Sequence, residues 1–232
     1  MAEKGEKKEW KVLGVEYKLE KPVEETVLYD KVTPEIARIS FNRPEKHNAL
    51  YVPDQADEIK KKLQMPIHDE DVKVVIIRGN GPSFCTGDDL NRAPFEAMGG
   101  RPGVAPPQAR RLIGFHLWEA ELMRDFLYHP KVLISEVNGW CVGVGLMMAL
   151  CCDLVVAAED AKFSHYEQRI SFAGLDPCVM QLEFLHFGPK KAREWGLSGR
   201  TLSAQEAKEW GMVNSIVPRD KLEDEAMRWA KM

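Results

Sequence analysis

The chain has 232 residues, of which 44% are hydrophobic, and these values suit one larger domain or a domain with a short appendage. Its net charge of −4 gives no electrostatic basis for nucleic-acid binding. No apolar run approaches the length of a membrane span, and the charged residues 1–8 lack the apolar core of a secretion signal. We therefore expect a cytoplasmic location and neither a nucleic-acid nor a membrane partner.

The N-terminal part divides into an arm and the beginning of a domain. Residues 1–25 are rich in lysine and glutamate and predict a flexible or loosely docked arm, so the domain is predicted over residues 26–232. Strand-like patterns follow at residues 27–29 and 36–41. Residues 53–65 carry apolar side chains at helical spacing and predict an amphipathic helix.

Two apolar strands each lead into a glycine-bearing turn. Residues 72–79 precede the turn at 80–90, and residues 132–137 precede the turn at 138–145, after which an apolar helix runs through Cys151. Glycine tolerates unusual backbone angles and leaves room for a ligand beside the main chain. Two N–H donors around one oxygen make an oxyanion hole. The same pattern also fits plain strand-to-helix turns that only pack.

The remaining elements alternate between strands and helices. A proline- and glycine-rich loop is predicted at 91–107, a helix at 109–127, a strand at 153–158 and an irregular segment at 163–177. Such alternation predicts an α/β fold, either with stacked ββα turns or with a doubly wound sheet. Helices at 183–195, 204–210 and 222–231, and a strand at 212–217, complete the prediction.

The five cysteines do not form a metal-binding or redox pattern. No CxxC pair occurs, so we expect no metal site. Cys151 and Cys152 fall on the predicted core helix, and Cys85, beside the first glycine turn, is interpreted as a small buried residue.

Five motifs in a fixed order resemble one protein family. They are Ser-Phe-Asn-Arg-Pro-Glu-Lys-His-Asn-Ala-Leu at 40–50, Phe-Cys-Thr-Gly-Asp-Asp-Leu at 84–90, Val-Asn-Gly-Trp-Cys-Val-Gly-Val-Gly at 137–145, Cys-Asp-Leu-Val-Val-Ala-Ala at 152–158 and Leu-Ser-Ala-Gln-Glu-Ala at 202–207. Together they are similar to the crotonase superfamily, also called the enoyl-CoA hydratase/isomerase family. The resemblance implies a crotonase-type spiral of ββα units with helices packed outside. It also implies a homotrimer or hexamer, and further C-terminal helices that would follow Met232, so the helical part is expected to be incomplete here.

The resemblance also implies the parts of an acyl-CoA site. The backbone N–H groups of Asp88 and Val144 would polarise the thioester carbonyl, and Gly143 would contact the substrate. Val144 replaces the usual middle glycine of the motif, which narrows the approach but keeps the donor. Coenzyme A would enter as part of the substrate, with no permanently bound cofactor. Residues implied to contact it are Lys46, His47 and Ala49, through main-chain groups, with Asp89 and Leu90 flanking the adenine.

The catalytic carboxylates are where this chain departs from the family. Hydratases of the common type use two glutamates, and the first of these positions is Met147, which cannot transfer a proton. The second position is Glu167, which matches and is predicted to be the main acid/base. Asp176 is a second candidate, although it also fits a turn residue before proline. His165 borders the same region as a titratable or a packing residue.

Three functions remain open from the sequence. The first is an enoyl-CoA hydratase/isomerase-type enzyme with one main acid/base, because a single carboxylate can move a proton between two carbons of an enolate. The second is a hydrolase or ring-cleaving enzyme that acts on carbon–carbon bonds of a cyclic β-keto acyl-CoA, since residues 188–194 are similar to that branch of the family. The third is a non-catalytic protein that binds coenzyme A. The acyl group is not predicted.

Overall fold

The computed structural model describes residues 8–12, 15–19, 25–50, 54–89, 119–166 and 179–232. The predicted α/β class is confirmed, because strands and helices alternate along the chain. The strands are β1 (Lys8–Val12), β2 (Val15–Leu19), β3 (Val27–Lys31), β4 (Ile36–Phe41), β5 (Val74–Gly79), β6 (Val132–Val137), β7 (Trp140–Val142), β8 (Leu154–Ala158), β9 (Lys162–Ser164), β10 (Thr201–Ser203) and β11 (Ser215–Val217). The helices are α1 (Asp54–Ile67), α2 (Glu121–Leu127), α3 (Val144–Cys151), α4 (Val179–Ser198), α5 (Ala204–Glu209) and α6 (Leu222–Ala230), and short 3-10 helices lie at Pro44–Lys46 and Arg219–Lys221.

The central sheet has the strand order β11-β8-β6-β5-β4-β3 within the described part of the chain. All neighbouring strands are parallel except β3 and β4, which are antiparallel. The inner strands are nearly continuous apolar runs, as expected for parallel strands covered on both faces. Parallel order places the carboxyl ends of β5, β6 and β8 side by side at one edge.

A second, smaller sheet lies beyond that edge. Its order is β10-β9-β7, with β7 and β9 parallel and β9 and β10 antiparallel. Single-residue bridges extend it, between Cys85 and Cys141 and between Leu50 and Asp88. Each unit of chain thus runs from a central strand, through a strand or bridge of the second sheet, toward a helix. The spiral of ββα units is therefore confirmed.

Helices cover both faces of the central sheet. The main core lies between the sheet, α1, α2 and α3, and every residue of α3 is buried. The amphipathic helix α6 covers the opposite face, where Leu222 packs with Ile134, and Ala226 with Ile36 and Ile76. No helix among the described residues is both long and apolar enough to span a membrane.

Several predicted elements differ from the structure in their bounds. The strands β7, β9 and β10 were not predicted, and β9 overlaps the segment predicted to be irregular. Helix α4 is longer than predicted but breaks at Gly188, whose φ of 78° is not helical. Helix α3 ends at Cys151, so Cys152 lies in extended backbone and not on the helix as predicted.

The N-terminal residues also contain structure that the sequence did not predict. Strands β1 and β2 pair as an antiparallel hairpin within the segment interpreted as an arm. The loose docking of this arm stays a prediction. The loop at 91–107 and the first part of the helix at 109–127 lie outside the described residues, and α2 accounts for its last turns.

Candidate functional site

The two glycine turns that follow β5 and β6 pack directly against each other. Gly87 has a φ of 84°, and a Cβ added to it would lie 3.1 Å from the Val142 carbonyl oxygen and 3.6 Å from the Gly143 Cα. A Cβ on Gly145 would lie only 2.6 Å from the Cys85 carbonyl oxygen. Both glycines therefore allow a backbone-to-backbone approach that any side chain would obstruct. This contact joins the two predicted halves of an oxyanion hole.

Each predicted donor comes directly after a glycine with positive φ. Asp88 follows Gly87, and Val144 follows Gly143, whose φ is 54°. Leu50 donates its N–H to the Gly87 carbonyl at 2.7 Å and accepts from the Asp89 N–H at 2.9 Å. In a parallel bridge of this kind the N–H of the residue between, here Asp88, points away from the partner.

The second donor begins a helix. Val144 is the first residue of α3, where N–H groups have no partner within the helix and carry the positive end of its dipole. The preceding Gly143 N–H is already used, because it donates to the Ser164 carbonyl at 3.2 Å. Val144 is 5% exposed. The turn thus presents an N–H at a buried position where negative charge is favoured.

The segment predicted to contact coenzyme A is held against the first glycine turn by Asn48. This asparagine is fully buried, with a φ of 57°. Its side chain accepts from the Arg43 N–H at 2.8 Å and donates to the carbonyls of Asn80 and Ser83 at 3.0 and 2.7 Å. Asn48 was not among the predicted site residues, although it lies within the first motif.

Three of the predicted coenzyme A contacts, Lys46, His47 and Ala49, lie on this segment, and their main-chain groups also have partners within the protein. Lys46 and His47 are exposed, and the His47 carbonyl accepts from the Thr86 hydroxyl at 3.2 Å. The carbonyl of Lys46 accepts from the Ala49 N–H at 3.0 Å. A carbonyl oxygen has two lone pairs, so each can still accept a second hydrogen bond.

Arg43 connects this segment to the end of the first glycine turn. Its guanidinium donates to the Ala49 carbonyl at 2.6 Å and pairs with Asp89 at 3.0 Å. Asp89 is only 7% exposed, so its carboxylate faces Arg43 within the protein. Leu90, the other residue predicted to flank the adenine, lies outside the described residues.

Comparison with known proteins identifies the family. Residues 32–232 match the model of the family described as enoyl-CoA hydratase/isomerase. The chain belongs to this family. Among solved structures it is similar to an enoyl-CoA hydratase/isomerase from Xanthobacter autotrophicus Py2, with 35% identity over 89% of this chain and 72% of that one, and a TM-score of 0.79.

Two further solved structures support the assignment. A probable enoyl-CoA hydratase from Mycobacterium thermoresistibile is 34% identical over 90% of this chain and 82% of its own, with a TM-score of 0.75. An enoyl-CoA hydratase from Bacillus anthracis is 29% identical over 89% of this chain and 76% of its own, with a TM-score of 0.77. The chain is therefore similar to enzymes of this family over most of its length.

Met147, at the position predicted to correspond to the first glutamate of common hydratases, is part of the core. Met147 is 3% exposed and lies among apolar neighbours on α3. The two predicted carboxylates, Glu167 and Asp176, lie outside the described residues. Among the described residues, no group of three or more potential ligands is placed to hold a metal ion.

Strand β9, which pairs with β7 of the second glycine turn, ends at Ser164, three residues before residue 167 in the sequence. Strand β9 runs parallel to β7 with Ser164 opposite Val142. The two residues after β9 are anchored on other elements: His165 Nε2 is hydrogen-bonded to Glu183 Oε1 on α4, and the Tyr166 hydroxyl lies 2.9 Å from the Thr201 hydroxyl on β10. Glu183 was missed by sequence reasoning, because a lone glutamate on a predicted helix resembles a solvated one.

Two buried ionisable groups, Cys85 and Glu136, have raised pKa values, but only Cys85 lies in a glycine turn. Cys85 is fully buried as predicted, and burial raises the pKa of its thiol to about 12. Burial also raises the pKa of the Glu136 carboxyl on β6 to about 7, and this effect is partly opposed by the Arg78 guanidinium at 3.6 Å. Glu136 alternates with Leu133 and Val137 of the main core, so it faces the α6 side and not the turns.

Proposed function

We propose that this family member acts on acyl-CoA thioesters and holds an enolate on the N–H groups of Asp88 and Val144. The observation that supports this most directly is the contact between the two turns, in which Gly87 packs against Val142 and Gly143. Two preorganised donors that meet a developing oxyanion in a water-poor site are a major source of rate enhancement. Only backbone hydrogens are needed, so the valine at position 144 is compatible with the proposal.

In the proposed mechanism Glu167 is the main acid/base. With the thioester oxygen held by the two N–H groups, the α-carbon loses its proton to Glu167 and the negative charge moves onto that oxygen. Return of the same proton to a different carbon completes an isomerisation. Asp176 is a second carboxylate that can share this role.

Within this proposal, the buried Met147 argues against hydration by two glutamates. A hydratase with two glutamates uses one to activate water and the other to protonate carbon, and a methionine thioether does neither. The site thus favours isomerisation, or a slower hydration by a single carboxylate. The residues proposed to contact coenzyme A are Lys46, His47, Ala49, Asp89, Leu90 and Gly143. The proposal includes no permanently bound cofactor, and it places the protein in the cytoplasm.

The test is an assay with two acyl-CoA substrates, one that reports hydration and one that reports isomerisation. Hydration of crotonyl-CoA removes the absorbance of the conjugated thioester, whereas isomerisation of a 3-enoyl-CoA creates it. We expect turnover of the 3-enoyl-CoA to exceed that of crotonyl-CoA. Binding of both thioesters by calorimetry without any absorbance change would instead support a non-catalytic coenzyme A-binding protein, and absence of binding at millimolar concentration would contradict the whole proposal.

A further inference from the structure

A buried histidine–carboxylate pair lies at the end of β9, and the proposed mechanism does not use it. His165 is 7% exposed and Glu183 is 1% exposed. Their hydrogen bond joins Nε2 to Oε1, and the Trp195 ring packs edge-on to the imidazole at 5.1 Å between ring centroids. Taking two ionisable groups out of water costs free energy that pairing only partly restores. The pair therefore calls for a functional explanation.

A short backbone path links this pair to the second oxyanion donor. Ser164, directly before His165, accepts the Gly143 N–H at 3.2 Å. The register of β7 and β9 places Val142 opposite Ser164, so Gly143 and His165 are the first residues beyond the paired strands. Val144 follows Gly143. The path thus runs from Glu183 on α4, through His165 and Ser164, to the peptide that precedes the donor.

We propose that His165 and Glu183 are positioning residues for the N–H of Val144. Glu183 belongs to a separate helix, and by holding the imidazole it fixes the backbone at the end of β9. The Ser164 carbonyl then keeps the Val142–Gly143 peptide bond in one orientation. This orientation sets the direction of the N–H of Val144. Oxyanion donors need placement to within a fraction of an ångström. This inference rests on the proposed function, because it requires Val144 to meet the thioester oxygen.

The competing explanation is a purely structural clamp between α4 and β9. The second oxygen of Glu183, Oε2, is buried without a hydrogen-bond partner in the described part of the chain. An unsatisfied buried oxygen makes the pair a poor stabiliser. Replacing such a pair with apolar side chains is often neutral or stabilising. A positioning role therefore predicts that activity is lost while stability is kept, whereas a clamp predicts that the two fall together.

The experiment compares the full chain with the H165L/E183L double variant. Binding of an acyl-CoA whose carbonyl is conjugated to an aromatic ring gives a second readout, because polarisation of the carbonyl moves its absorption to longer wavelength. We expect an unchanged or higher Tm, a similar Kd, a smaller wavelength shift and a kcat lower by about tenfold to a hundredfold. H165Q keeps an N–H that can reach Glu183, so it should restore most of the shift and of kcat.

His129 supplies the matched control. Its ring also joins two elements, through a 3.0 Å contact of Nε2 with the Leu63 carbonyl, but it lies just before β6, at the opposite end from the turn. H129L should leave the wavelength shift unchanged.

A full wavelength shift and parental kcat in H165L/E183L would overturn the positioning role. Losses of shift and kcat that only follow a lower Tm of that variant would also overturn it. If the parent protein neither binds the thioester nor shifts its absorption, the proposed function fails and this inference fails with it.

Discussion

Single residues set the backbone geometry from which the proposed activity follows. Gly87 and Gly143 have positive φ values, which residues with a Cβ rarely adopt, and each directly precedes a proposed donor. The side chains of Asp88 and Val144 are of less importance to the proposal because each proposed donor is a main-chain N–H. We therefore expect the valine at position 144 to change the width of the proposed site more than its chemistry.

At the same scale, Glu167→Gln tests the proposed acid/base. The amide keeps the size and hydrogen bonding of the carboxyl but cannot transfer a proton. General acid/base catalysis is commonly worth about 10²–10⁴-fold in rate, so we expect turnover to fall at least about a hundredfold while acyl-CoA binding stays unchanged. Steady-state kinetics and calorimetry measure the two effects.

Glu159→Gln is the control for that substitution, since Glu159 is exposed and follows β8. The Glu159→Gln variant should convert its substrate at the parental rate. Asp176→Asn should cost as much as Glu167→Gln if the two carboxylates act as a pair, and less if Asp176 is only a turn residue. Parental turnover in Glu167→Gln would remove Glu167 from the mechanism.

We predict that Glu136 makes the free energy of unfolding depend on pH. Burial raises the pKa of this carboxyl from its usual 4.5 to about 7, so the folded state binds its proton more tightly than the unfolded state does. Between these two pKa values its contribution to stability is therefore lost as pH rises. Glu136→Gln should be more stable than the parent at pH 8 by about 1–3 kcal/mol, and similar to it near pH 4.5. Urea unfolding at the two pH values measures this difference.

An exposed glutamate provides the comparison for the pH effect. Glu159→Gln makes the same change of charge at the surface and should alter stability little at either pH. If Glu136→Gln changed the free energy of unfolding equally at both pH values, titration of Glu136 would not be the cause.

At the scale of elements, α3 fits closely against the first glycine turn. A Cβ on Gly145 would meet the Cys85 carbonyl oxygen, Cβ and Sγ at 2.6, 2.7 and 2.9 Å. Gly145→Ala should therefore push α3 away from the turn and destabilise the protein by about 1–3 kcal/mol. Because Val144 begins this helix, acyl-CoA affinity should also fall. Thermal unfolding and calorimetry measure the two effects.

Gly196 is the matched helical glycine, because nothing lies within 4 Å of a Cβ added there. Gly196→Ala should stabilise the protein by about 0.5–1 kcal/mol through better helix propensity, without any change in affinity. Equal Tm values for the two alanine variants would show that Gly145 is not required for close packing.

At the scale of the whole molecule, we predict a homotrimer, or a hexamer formed by two trimers. Helix α4 exposes Leu185 and Leu197, which are 82% and 77% accessible in the single chain. Large exposed apolar side chains on one element favour burial in a subunit interface. Sedimentation equilibrium should give three or six times the chain mass of 26.4 kDa at micromolar concentration. A stable monomer under these conditions would contradict the prediction.

The sequence by itself determined the main strands and the location of the two turns. Long apolar runs such as β5 and β6 have one clear interpretation, and the glycines that follow them predict sharp turns. The resemblance of five ordered motifs to a known family then implied the spiral of ββα units, between which and a doubly wound sheet the pattern of elements had left the choice open. These signals are local, because each depends on the composition or spacing of a few neighbouring residues.

Only the tertiary structure decided which distant residues meet. Strands of three residues, such as β7 and β9, are too short to show a period, so their pairing was not visible in the sequence. Asn48 and Glu183 are ordinary polar residues until the fold buries them against Ser83 and His165. Their roles depend on strand order and on burial, which are properties of contacts between residues far apart in the chain.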